Sequence, residues 1–189
     1  MGYISIWNGY EEASFIGCGL YKIKQTGKSS SGGPAPIMEA VSVDENGEQV
    51  ANDDIIDEAL FYFKSNMLLR TYTIKGNGDR LILYITYFLS QCLKRLVGVT
   101  RDQAKNVLFA LANEGFSAPG DKGFPFPAFF PQPKDAAEVE KWKEYMKQVR
   151  LEAGQRLVKK VFLFPEADNT GNKFWMIFAK YTLLGQSEK

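Results

Sequence analysis

The sequence predicts an all-α fold of about five helices, with one apolar helix surrounded by the others and a long irregular N-terminal segment. Three observations predict it. From residue 53 onward, apolar residues recur three or four apart through most of the chain. The stretch Leu81–Leu96 is apolar nearly all round, which suits the middle of a bundle. Glycine, proline and serine collect in residues 1–52 and again in 119–133, outside the periodic segments. A chain of 189 residues suits a single domain. Residues 1–52 read as its irregular segment and residues 53–185 as its helical domain.

The N-terminal segment holds Gly17-Cys18-Gly19, the run Ser29-Ser30-Ser31-Gly32-Gly33, and Pro34-Ala35-Pro36. Such composition predicts extended chain and loop, with Leu20-Tyr21-Lys22-Ile23 able to pair as a strand. Residues 39–50 are polar and acidic and read as an insertion-like flexible loop. A first helix starts at Asn52-Asp53-Asp54, with Ile56, Leu60, Phe63 and Met67 on one face. Asp53, Asp54, Asp57 and Glu58 fall at its start, where negative charge complements the helix dipole. That role is preferred to a metal site, because no Gly-bearing loop of ligand spacing is present.

Gly76-Asn77-Gly78-Asp79 is a helix-start turn, since it lacks the Gly-Lys-Ser/Thr end of a phosphate loop. The apolar helix follows, with Leu81, Ile85, Phe88 and Cys92 on one face and Lys94-Arg95 at its C-terminal end. A third helix runs from Thr100 to near Asn113, with Thr100 and Gln103 at capping-box spacing. Asp135 and Glu138 repeat that spacing before one long amphipathic helix over about residues 135–163, roughly 40 Å in length. Val139, Trp142, Met146, Val149, Ala153, Leu157 and Val161 form its inner face. Lys141, Lys143, Lys147, Arg150 and Lys159 form its basic outer face. A last helix is read over 174–181 from the spacing of Phe174, Ile177, Phe178 and Tyr181.

Composition excludes several function classes. The net charge is +1, from 23 basic and 22 acidic residues, without the basic excess that nucleic-acid binding requires. The chain has no histidine, which removes His-based acid–base catalysis, His-activated nucleophiles and His metal ligands. Two cysteines, Cys18 and Cys92, build neither a zinc site nor a disulfide framework. Both read as packed thiols, and Cys18 has no histidine to activate it. No catalytic, cofactor-binding or metal-binding residue is assigned, and no cofactor is expected. The start of the chain shows no basic-then-apolar leader, and Ile6 stands where myristoylation after Gly2 needs Ser or Thr. The longest apolar stretch falls short of the ~20 residues that span a bilayer, so no membrane insertion is expected.

One number points to a function. The chain is 14% aromatic, and aromatic side chains dominate protein interfaces as well as cores. Phe124, Phe126, Phe129 and Phe130 stand among prolines in the loop over 119–133. They either cover the open edge of the bundle or anchor it in a partner's groove. The basic face of the long helix is a solvated face or a docking surface for an acidic partner, with Lys143, Lys147 and Arg150 as candidates.

Several ordered segments resemble a known family. They are Gly33-Pro34-Ala35-Pro36, Asp54-Ile55-Ile56-Asp57-Glu58-Ala59, Phe63-Lys64-Ser65-Asn66, and Thr71-Tyr72-Thr73-Ile74-Lys75. Asp79-Arg80-Leu81, Cys92 to Leu96, Pro119-Gly120, Gly123-Phe124-Pro125, Tyr145 to Arg150, Arg156-Leu157 and Asn172-Lys173-Phe174-Trp175 follow. Over residues 33–185 the chain resembles subunit 3 of the actin-related protein 2/3 complex, the actin-branching nucleator. It departs from the family pattern at Ile4, where a histidine is usual, in residues 39–50, and after Lys180.

The resemblance implies an all-helical, non-catalytic cytoplasmic subunit of the actin cytoskeleton. It implies docking on actin-related protein 3 and on other subunits of that complex, and a contribution to holding the actin filament. Lys173 and Trp175, in the last signature segment, join the partner-binding candidates. Two other classes remain open from the residues alone. One is a monomeric helical module that regulates or carries a small ligand. The other is a small enzyme using Asp, Glu, Lys or Tyr chemistry.

Overall fold

A computed structural model describes residues 3–26 and 32–185. The Met1-Gly2 start and the Ser29-Ser30-Ser31 part of the predicted loop lie outside the described residues. Helices α1 (Ile55–Met67), α2 (Asn77–Arg95), α3 (Arg101–Asn113), α4 (Ala136–Val161) and the short α5 (Lys173–Met176) dominate the fold. The all-α expectation needs correction, because three two-stranded sheets precede the helices. Strands β1 (Ala13–Phe15) and β2 (Cys18–Leu20) form an antiparallel hairpin. Strands β3 (Ile23–Lys24) and β4 (Ile37–Met38) pair in parallel. Strands β5 (Val41–Val43) and β6 (Gln49–Ala51) form a second antiparallel hairpin. The physical reason for the miss is length: strands of two or three residues are too short to show a period of two.

The insertion-like stretch 39–50 is therefore the β5–β6 hairpin rather than a plain loop, and its strand residues are all exposed. Its tip is locally determined. The Asp44 carboxylate accepts from the Asn46 and Glu48 N–H groups at 2.9 and 2.8 Å, and Gly47 takes φ +80°. Gly47 fills the left-handed position that ends a three-residue hairpin loop. The β1–β2 turn uses Ile16 and Gly17, both at positive φ. A Cβ on Gly17 would lie 2.6 Å from the Arg80 guanidinium, so glycine is required there by space as well as by backbone.

α2 packs against α1, α3, α4 and β2, as a central helix must. Leu81, Ile82, Leu83, Ile85, Leu89, Cys92 and Leu93 are each at most 1% exposed. α4 is buried more widely than a single stripe. Beyond the predicted inner face it buries Tyr145, Gln148, Arg150, Glu152 and Arg156. It ends at Val161 rather than residue 163, and the Asn172 N–H takes the Val161 carbonyl at 3.0 Å. The last predicted helix is a four-residue α5 followed by a 3-10 turn over Ile177–Lys180.

Buried polar groups tie the N-terminal segment to the helices. Gln148 on α4 accepts from the Ala35 N–H at 3.0 Å and donates to the Ala35 carbonyl at 3.4 Å. A side-chain amide thus imitates a strand for the Gly33-Pro34-Ala35-Pro36 segment. Glu58 on α1 accepts from the Ser5 hydroxyl at 2.8 Å and the Ile6 N–H at 3.0 Å. The buried Asp79 near the start of α2 accepts from the Ser5 N–H at 2.7 Å, Asn8 Nδ2 at 2.9 Å and the Lys75 N–H at 2.8 Å.

The acidic start of α1 does more than complement a dipole. Asp54 caps the helix by accepting from the Ile56 and Asp57 N–H groups at 3.1 and 3.0 Å. Both its oxygens also accept from Arg156, at 2.5 and 2.7 Å. Lys24 pairs with Asp57, and Arg156 also reaches Asp57 at 3.1 Å and the Lys24 carbonyl at 2.7 Å. This buried network joins β3, α1 and α4.

Candidate interaction surface

The aromatic–proline loop between α3 and α4 is mostly core. Phe124, Phe126 and Phe130 are 5%, 1% and 6% exposed. Phe124 meets Phe130 edge-on at 4.9 Å and Trp142 at 6.0 Å, and Phe126 meets Tyr87 at 5.4 Å. Phe129 is half-buried, with its ring 6.2 Å from that of Phe126. Arg80 fixes the loop by donating to the Phe129 carbonyl at 2.8 Å and to the Gly17 carbonyl at 2.5 Å. The loop covers the bundle, and of the four rings Phe129 keeps the most surface.

The basic face of α4 divides. Lys147 is exposed, and the half-buried Lys143 stands 3.9 Å from Asp121 in a solvated pair that adds little stability. Arg150 is not on that face: it is buried, between the rings of Phe88 and Phe116 at 4.7 and 4.2 Å. Arg150 and Phe124 line one cavity, whereas Lys173 lines a different groove. The predicted candidates therefore do not form one site.

The C-terminal segment makes the larger surface. Asn172 caps α5 by accepting from the Phe174 N–H at 3.0 Å and anchors it by donating to the Phe164 carbonyl at 2.8 Å. Trp175 stacks on Phe63 of α1 at 6.0 Å, and Phe178 meets the same ring edge-on at 5.9 Å. Lys64 lies over the Trp175 ring at 4.5 Å. These contacts hold one side of the segment against the bundle. Its other side stays in water: Phe174 is 65% and Ile177 52% exposed, beside Val97 at 65%. Of the four residues whose spacing predicted a helix, Phe178 packs inward on Phe63, whereas Phe174, Ile177 and Tyr181 stay exposed. Val97, Phe174 and Ile177 line a groove of about 910 Å³. Lys64, Lys173 and Lys180 also line it, and among the described residues no carboxylate does.

Nothing in this arrangement activates a nucleophile. Cys18 is fully buried and accepts from Trp142 Nε1 at 3.5 Å, and burial pushes its thiol up to about 12. Burial likewise raises the Cys92 thiol. Among the described residues no group of His, Cys, Asp and Glu side chains is placed to hold a metal ion. Among them, too, no helix is long and apolar enough to cross a membrane.

Comparison with known proteins assigns the chain. The family model described as "P21-Arc: ARP2/3 complex ARPC3 (21 kDa) subunit" matches residues 1–187. Actin-related protein 2/3 complex subunit 3 of Dictyostelium discoideum is 36% identical over 85% of this chain and 85% of its own length. The protein of the same name from Arabidopsis thaliana is 35% identical over 87% of this chain and 85% of its own. That of Schizosaccharomyces pombe is 37% identical over 71% of this chain and 76% of its own. The segments that hold the fold together, from the Gln148-bound Gly33–Pro36 to Asp54, Asp79 and Arg156, lie inside a match that runs almost end to end, and the chain belongs to the ARP2/3 complex 21 kDa subunit family.

Proposed function

We propose that the chain is a non-catalytic subunit of an actin-related protein 2/3 complex that docks through the groove of its C-terminal segment. The family is that of a structural subunit and not of an enzyme. Its work is binding free energy, which stabilises an assembly that nucleates branched actin filaments. The partner is actin-related protein 3, with the other subunits and the mother filament beyond it, at the cytoplasmic actin cytoskeleton. The acting unit is one domain, with the helices of residues 53–185 carrying the docking face.

The observation that carries the docking reading is the groove itself. Phe174, Ile177 and Val97 expose a contiguous apolar face while Trp175 and Phe178 secure the segment from behind. Exposed apolar patches edged by polar groups mark interaction sites. Lys64, Lys173 and Lys180, with no carboxylate lining the groove among the described residues, select a partner face that is apolar with acidic edges.

Reconstitution with the remaining subunits tests this. Phe174→Asp with Ile177→Asp is expected to weaken incorporation at least tenfold and to leave the melt of the isolated subunit nearly unchanged, because both side chains are already in water. Phe129→Ala with Phe130→Ala is expected to do the reverse: it lowers the melt and affects incorporation only through folding. Undiminished incorporation of the Phe174/Ile177 variant would move the docking face elsewhere.

A further inference from the structure

We propose that the cavity beside Arg150 is a binding site for a small oxyanion, a carboxylate or phosphate group held by the Arg150 guanidinium. The cavity measures about 290 Å³ and lies between α2, the end of α3, the aromatic–proline loop and α4. It is at the small end of the range for ligand sites, ~300–1,000 Å³.

The charge balance of this cavity is unusual. Arg150 is 6% exposed, and a buried cation is ordinarily matched by a carboxylate. Among the described residues none lies within ion-pair distance of it. Its partners are the Leu111 carbonyl, which accepts from Nη2 at 2.6 Å, the Tyr84 hydroxyl, and the two phenylalanine rings. Its Nε–H is closed off from water and has no hydrogen-bond partner among the described residues. A guanidinium offers paired N–H groups of the kind that a carboxylate or phosphate takes with two parallel hydrogen bonds, and Arg150 lines the cavity.

The surroundings favour an anion further. Lys94 and Arg95 also line the cavity, and Glu114 is its sole carboxylate among the described residues. Glu114 is already taken, accepting from both Arg95 Nη atoms at 2.9 Å. Three cations therefore face one neutralised acid. Gln91, Ser117 and Tyr87 add polar atoms to the lining, and Phe88, Phe116 and Phe124 supply apolar wall.

Titration calorimetry of the full chain at low ionic strength tests the site, with inorganic phosphate and benzoate as separate probes. The expected result is saturable binding of one equivalent of at least one probe. Tighter phosphate assigns a compact tetrahedral oxyanion, and tighter benzoate a carboxylate on an apolar body. Arg150→Gln is expected to weaken binding at least tenfold, and Lys147→Ala, an exposed cation on the same helix, to leave it unchanged. Gln91→Glu places a carboxylate in the cavity without removing a packed group. It is expected to weaken binding at least tenfold, and it decides the question if Arg150→Gln does not fold. Absence of saturable binding of both probes to the wild type, or wild-type affinity in Gln91→Glu, overturns the proposal.

Discussion

Arg156→Met is expected to lower the unfolding free energy by about 3–5 kcal/mol, the usual cost of breaking a buried ion pair from one side. The substitution nearly preserves side-chain volume, so the loss is electrostatic rather than a cavity. Among the described residues it leaves Asp54, 0% exposed, with the N–H groups of Lys24, Ile56 and Asp57 to hold its charge. Adding Asp54→Asn removes the stranded charge and is expected to recover part of the loss, though the cap at the start of α1 weakens. Denaturant melts of the two single variants and the double variant measure the coupling directly.

The same network sets an acid limit. Burial pushes the Asp57 carboxyl up, but Lys24 and Arg156 outweigh it and leave the group below its ordinary value. A depressed carboxylate contributes stability that is present above the unfolded pKa, about 3.9, and is lost as pH falls through the folded one. The wild type therefore loses stability on acidification below about pH 4. In Arg156→Met this part of the pH dependence shrinks, because one of the cations that depresses Asp57 is gone.

Trp142→Ala is expected to cost about 3–5 kcal/mol. Trp142 is 0% exposed and sits where three parts of the structure meet. Its ring lies 5.2 Å from Tyr84 of α2, 6.0 Å from Phe124 of the loop and 6.1 Å from Phe116, which follows α3. Its indole N–H also reaches Cys18 on β2 at 3.5 Å. Truncation leaves a cavity bounded by elements that cannot all move inward together. Trp142→Phe keeps most of the apolar contact and loses the Cys18 bond, so it is expected to cost well under half as much. Circular dichroism melts compare the two without relying on tryptophan emission.

The helices were legible because their signals are local. Asp54, Gly76 and Asp135 stand at helix starts, and Ile56, Leu60, Phe63 and Met67 carry one face of α1 within a single segment. The strands were legible only at Leu20-Tyr21-Lys22-Ile23, whose two ends fall in β2 and β3, because two or three residues carry no period and β4 lies in a separate stretch of the chain. Arg150 illustrates a second limit. A cation among lysines on an amphipathic helix reads as solvated, and only the placement of Phe88 and Phe116 on two other elements shows that it is enclosed. Arg156 and Asp54 are 102 residues apart, so no local pattern announces their pairing.

The candidate site was legible in part. Lys173 and Trp175 were reached through the signature segment around them: Lys173 lines the groove, and Trp175 holds the segment from behind by stacking on Phe63. Its outward face was missed because helical spacing identifies an apolar stripe but not which way it points. Phe174, Trp175, Ile177 and Phe178 are apolar on both sides, and the packing of Trp175 and Phe178 on Phe63 decides the orientation.

Affinity isolation of the tagged full-length chain from its own cells, with mass identification of what comes with it, tests the central claim most directly. The account predicts recovery of both actin-related proteins and the remaining subunits of the complex in equal amounts. It also predicts their loss when Phe174 and Ile177 are both replaced by aspartate. A wild-type chain that is folded, abundant and recovered without actin-related proteins would contradict it.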